Sequence, residues 1–222
     1  YLTMNVLGTP HLAEQASKSG VRRLIHVSSI KVNGERTVLG RPFRIDKPRI
    51  DLSFKNTDYE TPVDQASLRP SDPYAISKWE AERALGEVSR KTGLEIVTVR
   101  SPLIYGPSLK GNLLRLLSLV RRGVPLPFGR INNRRSLIGI HNLVDLLIHC
   151  VDHPAATGRT FLASDGIDLS TPELIRLIAK GMGLPARLLP FPVSILKASA
   201  YLTGRNEEIC RLTDSLQVDS SF

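Results

Sequence analysis

The sequence predicts an α/β fold: a doubly wound parallel sheet, incomplete at its N-terminal edge, with a smaller and mostly helical lobe beside it. Three observations lead there. Helix-type and strand-type patterns alternate along the 222 residues, the order that builds a parallel sheet covered by helices on both faces. The strand-type stretches are short, nearly continuous apolar runs, as strands buried on both sides require. The chain also opens at Tyr1 inside a helical pattern, so the regular order is entered part-way.

The elements follow in turn. "YLTMNVLGTPHLAEQASKSG" reads as a helix closing at Gly20. "RRLIHVSSI" is a strand in which Leu24, Ile25 and Val27 suit burial. Pro73 to about Lys91 is a long helix, with Ser71 or Asp72 as cap, Pro73 in the first turn and Gly93 as the stop. Its apolar stripe is Ile76, Trp79, Ala81, Leu85 and Val88. "LEIVTVRSPLIYGP" is a buried strand stopped by Gly106-Pro107. "HNLVDLLIHCVDHP" is a helix with Asn142 as its expected cap, and "GRTFLAS" is a strand. "STPELIRLIAKGMG" places Ser170 and Glu173 at capping-box spacing ahead of a helix. Residues 1–107 and 139–165 then form the partial sheet domain. Residues 108–138 and 166–222, a helix with loops and a second helical tail broken by "LLPFPV", form the lobe over the carboxyl ends of the strands, where open α/β sheets bind ligands.

Composition narrows the function classes. With 41% hydrophobic and 23% charged residues the chain is an ordinary globular one. Cys150 and Cys210 give neither a disulfide framework nor a zinc spacing, so the default is a reducing, cytoplasmic setting. His149 and His153 stand one turn apart without a third ligand and read as helix surface. "NLLRLLSLVRRG", the best apolar run, is broken by Arg115, Arg121 and Arg122, so no membrane span is expected. Because the chain begins at Tyr1, the natural N-terminus is inferred to lie upstream, and a leader could have stood there. A net charge of +9 favours anionic partners. The cations are scattered as pairs and only 5% of residues are aromatic. A phosphorylated small molecule therefore suits the chain at least as well as a nucleic acid, which needs stacking platforms.

"SDPYAISKWE" sets Tyr74 and Lys78 on one helix face, one turn apart. Two readings are open. The pair is a helix-edge phenol and ammonium, the one over apolar surface and the other in water, or it is a proton-transfer pair. The spacing alone does not choose.

A strand ending in Ser28-Ser29, followed by a helical Tyr-x-x-x-Lys, is more specific. With "NVLGT", "VSSIKVNG", "PYAISK", "VRSPLIYGP", "NNRRSLIGIHNLVD" and "LQVDSS" in this order, the chain resembles the extended short-chain dehydrogenase/reductase family, in its NAD-dependent epimerase/dehydratase branch. Its look is that of UDP-glucose 4-epimerase-like nucleotide-sugar epimerases and 4-ketosugar reductases of surface-polysaccharide pathways. The resemblance implies a Rossmann-like sheet, NAD (or NADP) as cofactor, a nucleotide-diphosphate sugar as substrate, and a homodimer. It implies Ser29, Tyr74 and Lys78 as catalytic residues, with Ser28, Tyr74, Lys78 and Pro102 at the cofactor. Ser29, Asn112, Phe128 and Arg135 would be at the substrate. A free tyrosine titrates near ~10, and an adjacent ammonium stabilises its phenolate, so Lys78 would tune Tyr74 as general base and acid. Each of the outer residues has a plainer reading: Asn112 as a helix cap, Phe128 as core, Arg135 as a solvated cation.

Three features depart from the family pattern. Leu103 stands where many family epimerases carry Asn, which puts the sugar, and epimerisation itself, in question. Ser29 and Tyr74 lie 45 positions apart, and from Arg36 to Arg49 five cations meet only Asp46. This stretch reads as a solvated loop, with a lid for a diphosphate as the alternative. No glycine-rich phosphate loop follows a strand; Gly181-Met182-Gly183 only closes a helix. The fragment alone is therefore expected to bind NAD weakly. A non-catalytic nucleotide-binding protein on the same fold is the alternative of another class.

Overall fold

A computed structural model describes residues 2–45, 72–107 and 111–221. The opening helix is wound as a π-helix over Leu2–Gly8 and as an α-helix, α1, over Thr9–Lys18. Pro10 stands in the first turn of α1. Strand β1 (Arg23–Ser29) follows, ending in a 3-10 turn at Ile30–Val32. Helix α2 spans Pro73–Thr92. Of the two expected caps, Asp72 accepts from the Tyr74 N–H at 2.9 Å, while Ser71 lies outside the described residues. Gly93, at φ 75°, closes the helix.

Strand β2 (Glu95–Ser101) pairs in parallel with β1, from Arg23 opposite Glu95 to Ser29 opposite Ser101. On its other side β2 takes β5 (Thr160–Leu162), again in parallel. Even positions of β1 and β2 face α1 and α2: Leu24 and Ile96 pack on Ala13, Leu85 and Val88. Odd positions face the other layer, where Ile25, Val97 and Val99 meet Leu143 and Cys150 of α4 (Ile140–Asp152). The sheet is therefore covered on both faces, which is the doubly wound arrangement.

Two sequence expectations need correction here. In β1 the buried positions are the polar His26 and Ser28, while Val27 is 39% exposed. The even face of the strand is closed by α2, whereas Val27 lies on the odd face. In α2, Ala75 and Ser77 are buried with Ala81, Leu85 and Val88, while Ile76 and Trp79 are only half-buried. Small side chains let the opening helix approach closely, and Asn5 Nδ2 donates to Ser77 Oγ at 3.0 Å. Trp79 instead lies beneath the Arg83 guanidinium, 4.8 Å from the ring centre.

A second group of strands continues from the first. β3 (Leu103–Tyr105) runs parallel to β4 (Arg135–Gly139), and β6 (Asp168–Leu169) antiparallel to β4. Helix α4 starts directly at the end of β4. Its cap is Gly139 and not the expected Asn142, because Asp165 occupies that corner. The Asp165 carboxylate accepts from the Gly139 N–H at 3.0 Å and from Asn142 Nδ2 at 2.8 Å. β3 and α4 touch closely at Gly106, where φ is +152° and a Cβ would lie 2.3 Å from Ile140 Cγ2.

A separate apolar cluster joins α3 (Gly111–Arg121), α5 (Thr171–Gly181) and α6 (Val193–Leu202) through Leu113, Leu116, Val120, Phe128, Ile175 and Leu196. Ser170 and Glu173 form the expected capping box of α5, and Gly181 is its last residue. After α7 (Asn206–Thr213) the tail lies in extended form against Thr37, Phe43 and Arg135.

Candidate active site

The carboxyl end of β1 and the first turns of α2 are clamped together at two points. Lys78 Nζ donates to the Val27 carbonyl at 3.0 Å. Lys31, in the turn after Ser29, forms an ion pair with Asp72, the cap of α2. Burial alone would raise the Asp72 carboxyl, but Lys31, the Tyr74 N–H and the more distant Arg211 hold it below the usual range. Ser29 Oγ accepts from the Lys31 N–H at 3.3 Å. Ser29, Tyr74 and Lys78 are all half-buried, at the strand end where the crevice of such a sheet opens.

Beneath this edge lies a buried charged cluster. The Arg100 side chain is 2% exposed and that of Glu82 11%. Arg100 Nη2 meets Glu82 Oε2 at 2.6 Å, and Nε lies 3.0 Å from Oε1. Ser28 Oγ donates to Glu82 Oε1 at 2.5 Å, and Arg100 Nη1 donates to Asn33 Oδ1 at 2.9 Å. One carboxylate thus ties together α2, β1 and β2, and its guanidinium partner extends the link to the 3-10 turn. Lys78, one turn before Glu82, has its ammonium disfavoured by burial and supported by the Glu82 charge. His26, 7% exposed, has an Nε2 without a hydrogen-bond partner. Burial, helped by Lys78 and Arg100 and opposed by Glu82, lowers its pKa to about 4.

The expected site residues fall into two sets. Ser29, Tyr74 and Lys78 share the β1–α2 junction described above, and Pro102 is buried where β2 passes into β3. The Ser28 hydroxyl, expected at the cofactor, is directed instead to Glu82 inside the fold. Even positions of β1 face α2, whereas a crevice contact needs the strand's end. Asn112 is exposed in the first turn of α3. Phe128 is 8% exposed within the α3–α5–α6 cluster, the placement of a core residue. Arg135 is half-buried, and its Nη1 donates to the carbonyls of Arg211 at 2.8 Å and Asp214 at 3.1 Å. Burial works against its charge and Asp214 supports it. Arg211, whose carbonyl accepts from Arg135, also helps to hold the Asp72 carboxyl down by its charge. Lys47 and Arg49 of the proposed lid lie outside the described residues, whereas Arg44 pairs with Asp219 at 2.8 Å. Among the described residues no cluster of His, Cys, Asp or Glu could hold a metal ion. No helix there is long and apolar enough to cross a membrane.

Sequence reading missed Glu82, Arg100, His26 and Arg211. The first two had a signal. A charge inside the buried run "EIVTVRS" needs a partner, and Glu82 sits one turn beyond Lys78 on the helix that packs there. His26 and Arg211 carried none.

Residues 1–163 match the model of the NAD dependent epimerase/dehydratase family. A UDP-glucose 4-epimerase of Vibrio cholerae is 42% identical over 222 residues, all of this chain and 62% of that protein. An N-acetyl-alpha-D-glucosaminyl-diphospho-ditrans,octacis-undecaprenol 4-epimerase of Escherichia coli O157:H7 is 26% identical over 88% of the chain and 54% of its own length. The chain thus spans between half and two-thirds of these relatives. Among solved structures, the UDP-glucuronic acid 4-epimerase of Bacillus cereus in complex with NAD superposes with a TM-score of 0.69 at 18% identity, over 100% of this chain and 60% of that one. The Bordetella bronchiseptica enzyme WbmG in complex with NAD gives 0.66 at 18% identity, over 99% and 57%. At such identities these two matches speak for the fold.

Proposed function

Because the chain belongs to the NAD-dependent epimerase/dehydratase family, we propose that the protein it forms is a nucleotide-sugar 4-epimerase acting on a UDP-sugar. The observation that carries this reading is the 42% identity to a UDP-glucose 4-epimerase along all 222 residues. The β1–α2 junction supplies chemistry that suits it. A half-buried ammonium at the strand end and a buried Pro102 at the next strand end fit the nicotinamide end of a dinucleotide. NAD, when bound, supplies a reversible hydride acceptor.

The chain's own part is proton handling. Tyr74 removes the proton of the sugar 4-hydroxyl and returns it after the sugar has turned. Lys78 favours the phenolate by its charge, and the Val27 carbonyl fixes where that charge stands. Ser29 hydrogen-bonds the reacting oxygen. The Arg135 fork, braced on Arg211 and Asp214, meets the diphosphate, and Asn112 contacts it from α3. Exposed Met4, Leu7 and Leu12 on the opening helix support a homodimer. The free thiols of Cys150 and Cys210 support a reducing, cytoplasmic setting.

Leu103 favours a second reading. It is 42% exposed at the start of β3 and offers the sugar no amide. A one-way 4-ketosugar reductase using NADH or NADPH would place the same Tyr74 and Lys78 in the same roles. The test incubates the full-length protein and NAD with a panel of UDP-sugars, following absorbance of reduced nicotinamide and the C4 configuration of the product. Inversion at C4 without net redox change supports the epimerase. If only 4-keto sugars turn over, and at the expense of reduced cofactor, the reductase replaces it. Binding without turnover under either condition sinks both.

A further inference from the structure

The Tyr74–Lys78 reading leaves the charged cluster beneath it unexplained. A buried ion pair is weak evidence for stability, since apolar residues of similar volume often serve as well. The position of this one is informative. Glu82 follows Lys78 by one helical turn, so the carboxylate and the ammonium lie on one face of α2. The same carboxylate accepts from Ser28, the residue before Ser29, and is gripped by Arg100, which pairs in register with Ser28 across the sheet. Lys78 in turn donates to Val27, the residue before Ser28. The junction carrying Ser29, Tyr74 and Lys78 is therefore bonded to Glu82 through consecutive residues of β1.

We propose that Glu82 is a positioning residue for the proton-transfer pair: it holds β1 against α2 through Ser28 and sets a carboxylate one helical turn from the Lys78 ammonium. This rests on the reading of Tyr74 and Lys78 given above. The charged and titratable groups around Lys78 are Tyr74 and Glu82 on its own helix, His26 on β1 and Arg100 on β2. His26 is neutral near pH 7. Burial works against the Lys78 charge, and Glu82 is the group that opposes burial. Arg100 grips Glu82 in a dry place, and Asn33 and Ser28 complete the hydrogen bonds of the pair.

The test compares full-length wild type with Glu82→Gln and with Glu82→Gln/Arg100→Met. The amide still accepts from Ser28. The double variant leaves no unpaired guanidinium, so it keeps the comparison open if the single variant folds poorly. Two readouts are taken against pH: turnover of the UDP-sugar that wild type converts, and the rate at which Lys78 is acylated, followed by mass spectrometry of its peptide. The expected result is a Lys78 labelling midpoint about one pH unit lower in both variants. The alkaline limb of turnover should move with it. If Glu82 merely neutralises Arg100, the double variant returns to the wild-type labelling midpoint, and the proposal is overturned. A wild type that turns over no sugar refutes the enzymatic reading alone. The labelling arm still decides whether Glu82 sets the charge of Lys78.

Discussion

Lys78 and Val27 meet across the boundary between helix and sheet: the ammonium of one donates to the main-chain carbonyl of the other at 3.0 Å. The bond joins α2 to the strand that presents Ser29 two residues later. It also leaves Tyr74, one turn toward the helix start, on the same face as the ammonium.

Replacing Tyr74 by Phe removes only the phenolic oxygen. If the proposed reaction holds, the full-length protein should keep its fold and most UDP-sugar affinity, while turnover falls by about 10²–10⁴-fold, the usual worth of a general acid–base group. Steady-state kinetics with calorimetry checks both. A folded variant with near-normal turnover removes Tyr74 from the chemistry.

Arg135 is held through Nη1 by two carbonyls at the end of α7, and a lysine in its place lacks the planar fork that grips a diphosphate bidentately. Arg135→Lys in the full-length protein should weaken UDP binding about tenfold, measured by calorimetry. Unchanged affinity would leave Arg135 as a clasp between β4 and α7.

His26 makes folding sensitive to acid. Its pKa drops from 6.5 unfolded to about 4 folded, so below pH 6.5 the unfolded chain binds a proton that the folded chain refuses. Stability should fall as the pH goes from about 6.5 toward 4, and this contribution levels off below 4. The full span is worth about 3 kcal/mol. His26→Leu should remove that slope. The check is urea denaturation at several pH values, comparing the two proteins so that carboxylate effects cancel.

Gly106 sits where β3 touches α4. An added methyl would lie 2.3 Å from Ile140 Cγ2 and 3.1 Å from its Cβ. Gly106→Ala should cost about 1–3 kcal/mol, and Ile140→Ala in the same chain should relieve the Cγ2 clash but neither the contact with Cβ nor the part due to φ. Thermal melting of the two variants separates these terms.

Much of this architecture is readable from the residues, for reasons that particular elements make plain. α2 announces itself because its cap, its proline and its stop are local signals: Asp72, Pro73 and Gly93 each act within a turn of where they stand. The capping box of Ser170 and Glu173 is local in the same sense. Asn142 misleads because its competitor, Asp165, lies 23 residues away, and tertiary contact outranks local preference. The buried face of β1 misleads for a similar reason. His26 and Ser28 look like surface residues until the helix bearing Glu82 is placed over them. Of the site, the Tyr74–Lys78 spacing is visible in sequence, but Glu82 and Arg100 become a pair only across the sheet.

The extended tail has a consequence for how the chain comes to be. The Thr37 N–H donates to the Ser215 carbonyl at 2.8 Å, the Phe43 N–H to that of Gln217 at 2.9 Å, and the Gln217 N–H to Thr37 Oγ1 at 3.0 Å. These partners are separated by well over a hundred residues, and such distant pairings form late because loop-closure entropy must first be overcome. During synthesis, the segment that follows the Ser29 turn therefore has to wait until residues 215–217 have left the ribosome. Until then its edge is open to other strands, the condition under which partly made chains aggregate. A ribosome pause placed before residue 215 should leave the amides of Thr37 and Phe43 exchanging freely with solvent, and release of the tail should close them together.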